Sequence, residues 1–236
     1  MTKILGNIIY DKTKSQLLKY IINLNEKIHL VSGNPEILYT SLNNFELAQN
    51  IKRTDSLIFP DGAGVVLASK LLNSPVKEKI AGIELMGDII EYCNISGKSI
   101  YLLGTKDEIL KECITNLSRK YPNLNICGSH NGFFDINNCK EILEDIHQNS
   151  PYALFVAMGC PRQELFISKY MSNLSSKIFM GVGGAFDVLA GRVKRAPKWM
   201  ITLNLEWLYR VSKEPYRIKR LSSIPKFLFK AVIHRA

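Results

Sequence analysis

Short apolar, β-rich runs alternate with longer helical patterns along most of this 236-residue chain. Few architectures accept that alternation. The spacing predicts strands at 27–31, 56–59, 99–103, 124–127, 153–157 and 177–181. Helices are predicted at 12–23, 44–51, 64–72, 85–94, 106–120, 137–147, 162–171 and 203–211. Several strand runs are almost continuously apolar, as strands covered on both faces are. The expected fold is therefore α/β: an open, mostly parallel Rossmann-like sheet with helices on both faces. Ligands of such sheets sit at the carboxyl ends of the strands, and the motif-like residues cluster there. Ser32-Gly33-Asn34, Pro60-Asp61-Gly62 and Gly104 follow the first three strands, and the segments 159–164 and 181–187 follow the last two.

Past Gly191 the pattern changes. Residues 192–236 carry twelve Lys and Arg against two acids, Glu206 and Glu214, which accounts for the whole net charge of +10. Trp199, Trp207, Tyr209, Tyr216, Phe227 and Phe229 lie among the basic residues. A neutral body with a cationic, aromatic end suits an anionic partner: nucleic acid, membrane phosphates or a diphosphate-bearing ligand. Ile224, Phe227, Leu228, Ala231 and Val232 fall on one helical face, with Lys226 and Lys230 off it. That stripe needs cover from the chain's own body, from another subunit in a homo-oligomer, or from a bilayer interface. The division expected is 1–191 as an α/β catalytic domain and 192–236 as a basic helical appendage.

Several chemistries are disfavoured. No apolar run reaches the length of a spanning helix, and the N-terminus is too polar for a signal peptide. The five cysteines are odd in number and form no C-x-x-C pair, which suits reduced thiols in a cytoplasmic protein. No D-x-D pair, H-E-x-x-H or phosphate-loop motif occurs, so no metal and no cofactor are expected. The run from Gly181 to Phe186 has phenylalanine where a dinucleotide fingerprint needs Gly or Ala, which argues against an NAD-dependent oxidoreductase. Its glycines still allow backbone N–H groups to approach a phosphate. Asp61 reads either as a helix N-cap or as a general base at the ligand edge of the sheet. Arg162 and Gln163 open a helix where a phosphate could be met. Arg210, Arg217 and Arg220 recur at helical spacing and are candidates for neutralising a diphosphate.

Together, Asn34-Pro35-Glu36, the segment 59–64, Ala81-Gly82, the segments 101–104, 130–134, 159–164 and 181–197, and Glu206-Trp207-Leu208-Tyr209-Arg210 resemble the WecG/TagA/CpsF glycosyltransferase family over nearly the whole chain. The resemblance implies an inverting, metal-independent transfer from a UDP-sugar to a polyprenyl-diphosphate-linked sugar, on the cytoplasmic face of the membrane. N-acetylmannosamine or a related hexose is the implied cargo, for wall teichoic acid or other surface polysaccharide. It implies catalytic roles for Asp61, the candidate base, and Ser32, where the family usually has threonine. It implies substrate-binding roles for Asn34, Phe133, Gln163, Gly183, Gly184 and Asp187, with Phe133 near the uracil. Arg210, Arg217 and Arg220 match an appendage that meets diphosphate and membrane. Further departures from the family pattern are Phe133, where members often have a tyrosine and which loses a hydrogen bond, Gly33, which loosens the turn before Asn34, and Lys79 and Glu84, which replace an Arg and an Asp around Ala81-Gly82. The rival outside this class is a basic nucleic-acid-binding α/β protein.

Overall fold

The computed structural model describes residues 2–202, 205–213 and 223–233. An eight-stranded sheet runs through it in the order β1-β2-β4-β3-β8-β7-β5-β6. The strands are β1 (Thr2–Ile4), β2 (Asn7–Ile9), β3 (Ile28–Gly33), β4 (Ser56–Pro60), β5 (Ser99–Gly104), β6 (Asn125–His130), β7 (Ala153–Ala157) and β8 (Ile178–Gly181). Among the described residues only β1 and β2 pair antiparallel, and the other neighbours are parallel. The six expected strands are present, with ends shifted by a few residues. The hairpin of β1 and β2 was not anticipated. Its tight turn puts Leu5 and Gly6 both at positive φ, 49° and 73°, a geometry usually announced by Asn-Gly or Asp-Gly. Leu-Gly gives no such signal.

Alternate residues of the central strands feed opposite layers, and helices cover both. Ile100 and Leu102 of β5 join one core with Leu17 of α1 (Lys14–Asn23), Leu85 and Ile89 of α5 (Gly82–Ser96), Leu117 of α6 (Asp107–Lys120) and Phe186 of α9 (Ala185–Leu189). Tyr101 and Leu103 point the other way, against α7 (Lys140–Asn149) and α8 (Arg162–Tyr170). The far end of that second face is filled by α2 (Pro35–Thr40), α3 (Phe45–Asn50) and α4 (Ala63–Leu71). The short helix α2 was not expected, although Asn34 as N-cap and Pro35 in the first turn are its signature.

Gly33 closes β3 opposite Pro60 of β4. A Cβ there would lie 2.6 Å from Ile58 Cγ2 and 2.8 Å from the Phe59 carbonyl oxygen. Glycine therefore tightens the approach of the two strand ends, and the expectation of a loosened turn is corrected.

Past α9 the chain forms α10 (Lys198–Thr202), α11 (Glu206–Lys213) and α12 (Ser223–Ile233). Of the three covers open to the apolar stripe of α12, the chain's own body is the one observed. Phe227 and Ala231 are fully buried with Ile37, Val65 and Ala68 of α2 and α4, and Leu228 packs against the same cluster. The exposed apolar residues of α12 are Phe229, Val232 and Ile233. A buried phenylalanine truncated to alanine typically costs about 3–5 kcal/mol. Phe227→Ala should therefore lower stability by about 3 kcal/mol in a denaturant titration, whereas Phe229→Ala should leave it within about 0.5 kcal/mol of wild type.

Candidate active site

The carboxyl ends of β4, β3, β8 and β7 open into one cleft of about 720 Å³. Ser32, Asn34, Asp61, Gln163, Gly183, Gly184 and Asp187 all line it. The parallel register of β3 and β4, Ser32 opposite Phe59 and Gly33 opposite Pro60, places the two following loops side by side. The Asp61 N–H donates to the Gly33 carbonyl at 3.1 Å. The Ser32 hydroxyl donates to the Asp61 carboxylate at 2.7 Å, and the Asn34 amide donates to Ser32 Oγ at 3.1 Å. The other end of Asn34 accepts from the Ile37 N–H, so its orientation is fixed by the cap of α2. Asp61 is not the N-cap of α4. That position is Gly62, which leaves the Asp61 side chain turned to the cleft and to Ser32. A Cβ on Gly82 would sit 3.3 Å from the same carboxylate. The first turn of α5 thus lies beside Asp61, where the positive end of the helix dipole favours an anion.

From the sequence, Gln163 opens a helix where a phosphate could be met. It is buried, and its Oε1 accepts from the backbone N–H groups of Gly159 and Gly183 at 3.2 and 3.1 Å. The Gly183 amide is therefore engaged inside the protein and is not turned toward a phosphate. Arg162 also departs from expectation. Its guanidinium donates to the Phe134 carbonyl and stacks over that ring, and it does not line the cleft. Phe133 is 71% exposed and lies outside the cleft, in a separate groove with Lys106, Asp107 and Asn131. Arg210 belongs to α11, and its side chain lies outside the described set; Arg217 and Arg220 lie outside the described residues.

Cleft residues that were not singled out from the sequence as site residues include Glu36, Glu164, Glu206 and Ile224. Ile224 opens α12, so the C-terminal helix forms part of the cleft wall. Lys79 also lines the cleft, but Glu84 does not. Glu84 bonds Arg195 at 2.9 Å and lies 3.7 Å from Lys14. Burial pushes its carboxyl up, but the Arg195 hydrogen bond and the charges of Arg195, Lys14 and Lys79 outweigh that and hold it below the usual range.

Glu164 is 2% exposed. Burial pushes its carboxyl up to about 7, opposed by the Gln163 hydrogen bond and assisted by the nearby charge of Glu36. The fold therefore keeps a proton that the unfolded chain releases near pH 4.5. Stability falls as pH rises from about 4.5 to about 7 and is flat beyond, by an amount of order 3 kcal/mol. Glu164→Gln cannot ionise. Its stability relative to wild type should rise by about that much between pH 5 and pH 8 in guanidinium titrations.

Fold and cleft together define an α/β enzyme with a hydroxyl–carboxylate pair at the carboxyl edge of its sheet. Residues 2–236 match the sequence profile of the glycosyl transferase WecG/TagA/CpsF family. The chain is 36% identical over 231 residues to an N-acetylglucosaminyldiphosphoundecaprenol N-acetyl-beta-D-mannosaminyltransferase of Bacillus subtilis (strain 168), covering 96% of this chain and 89% of that one. It is 33% identical to the similarly named protein of Bacillus spizizenii, covering 95% and 89%. With that of Staphylococcus aureus (strain MRSA252) the identity is 36%, covering 86% and 79%. The chain belongs to the WecG/TagA/CpsF family and is a glycosyltransferase.

Proposed function

We propose that this glycosyltransferase moves a sugar, N-acetylmannosamine or a related hexose, from a UDP-sugar to a polyprenyl-diphosphate-linked sugar in cell-wall or surface polysaccharide synthesis. The transfer inverts the anomeric centre and needs no metal ion. The observation that carries the chemistry is the Ser32–Asp61 contact of 2.7 Å at the cleft edge, held in place by Asn34. The relatives' names support the acceptor, a diphosphoundecaprenol-linked N-acetylglucosamine, and the sugar moved.

Asp61 takes the proton from the acceptor hydroxyl while that oxygen bonds to the anomeric carbon. The bond from that carbon to UDP breaks on the opposite face, and its electron pair leaves with the diphosphate. Ser32 orients the Asp61 carboxylate. The cleft wall is rich in acids: Glu36, Asp61, Glu164, Asp187 and Glu206, with Lys79 the one cationic side chain among the described residues that line it. Carboxylates suit sugar hydroxyl donors and repel phosphates. The sugar therefore lies among the acids and the diphosphates face Lys79 and the basic C-terminal segment, where Arg210, Arg217 and Arg220 are assigned to charge neutralisation.

General-base assistance is worth about 10²–10⁴-fold, so Asp61→Asn should lower turnover by that factor with little change in thermal stability. Mass spectrometry of products from a panel of UDP-sugars and a short-chain lipid-diphosphate sugar reads both points. Near-normal turnover in the variant removes Asp61 as the base, and no transfer from any UDP-sugar removes the donor class.

The acceptor's lipid requires a membrane approach, and we place it on α4 and α12, which pack on each other. Leu67, Leu71, Phe229, Val232 and Ile233 are exposed there beside Lys70, Lys226 and Lys230. No helix among the described residues is long and apolar enough to cross a membrane. The arrangement suits peripheral contact with an anionic inner leaflet, each Lys contributing about 1 kcal/mol near the surface. Flotation with phosphatidylglycerol vesicles should therefore exceed that with phosphatidylcholine and weaken with salt. Phe229→Ser with Ile233→Ser should reduce the portion that resists salt.

A further inference from the structure

Two glycine-bearing loops leave the carboxyl ends of β7 and β8, and one side chain ties them together. Gln163 Oε1 accepts from the N–H of Gly159 on one loop and the N–H of Gly183 on the other, at 3.2 and 3.1 Å. Two converging donors allow only the oxygen of the carboxamide at that point, because an amide NH₂ would meet them hydrogen to hydrogen. Gln163 Nε2 is then directed at Glu164, whose Oε1 accepts from it at 2.7 Å. The pair occupies the space above Gly181, where a Cβ would fall 2.6 Å from Gln163 Nε2 and 3.0 Å from Glu164 Oε1. Glu164 is buried beside the cleft, and its Oε2 makes no hydrogen bond among the described residues.

We propose that Glu164 is a positioning residue for the donor site. It holds the Gln163 carboxamide in the single orientation that braces the Gly159 and Gly183 loops, and so shapes the wall against which the nucleotide sugar seats. This rests on the reading of the cleft as a UDP-sugar site. Without an acceptor at Glu164 Oε1, the Gln163 NH₂ is buried unpaired, and turning the amide over leaves both glycine N–H groups facing it instead. Either way the brace fails while Ser32, Asn34 and Asp61 are untouched. A glutamine at 164 keeps a carbonyl acceptor and preserves the brace. A methionine of similar length removes it.

The test combines amide hydrogen exchange at Gly159 and Gly183 with calorimetry of UDP binding, on the full chain. In Glu164→Met both amides should exchange at least about tenfold faster, and UDP should bind about tenfold more weakly, the loss of roughly one hydrogen bond's worth of organisation. KM for the UDP-sugar should rise more than kcat falls. In Glu164→Gln both amides and the UDP affinity should stay within about twofold of wild type. If Glu164→Met does not fold, Glu164→Asp carries the same test, since its shorter side chain withdraws the acceptor and keeps the carboxylate. Wild-type exchange at both amides in the Met or Asp variant overturns the proposal. So does a Gln variant as impaired as the Met variant, or faster exchange with unchanged UDP affinity. A failure of wild type itself to bind UDP overturns the donor reading and this inference with it, and is told apart because the unsubstituted chain already shows it.

Discussion

The hydrogen-bonded register of β3 on β4 is the constraint from which the site follows. Parallel pairing brings two chain segments that are far apart in sequence to the same edge at the same height, and Gly33 lets their last residues approach without a side chain between them. Ser32 and Asp61 then face each other across a hydrogen bond that neither loop could set by itself. The neighbouring pair β8 and β7 repeats the device on the other side of the cleft, with Gln163 as the tie. A site built on paired strand ends inherits the rigidity of the sheet, which suits chemistry that needs a carboxylate held still relative to an attacking hydroxyl.

Electrostatics divides the molecule into two parts. The first 191 residues are neutral overall, yet the cleft they form gathers acids. The positive charge is concentrated in the segment that follows. Arg192 and Arg195 fasten the start of that segment to the body through Glu112 and Glu84. A cleft of this character leaves part of the neutralisation of an anionic substrate to groups outside it. Burial of Glu164 pushes its carboxyl up and so weakens the hold of negative charge on that wall.

The parallel sheet was legible because its strands are apolar on both faces and its helices are long enough to show a 3.6-residue period. What escaped was structure whose signal is local and short. The β1–β2 hairpin hides behind an uncharacteristic Leu5-Gly6 turn, and α2 has only six residues after its Asn34-Pro35 start. At the site, Ser32, Asn34 and Asp61 were recognisable as polar residues at strand ends. Glu164 and Ile224 were not, because a buried carboxyl beside a cleft and an apolar residue in its wall look in sequence like an ordinary helix. Phe133, a motif residue near the same edge of the sheet, lies in a neighbouring groove, and sequence order does not say which strand gap a loop will fill.

Ile224 and Phe227 lie one turn apart on a single helix, yet one touches the cleft and the other the core. The same helix therefore contributes to the cleft wall and to the core beneath α2 and α4. A displacement of α12 would alter the cleft wall at Ile224 together with the packing of Phe227.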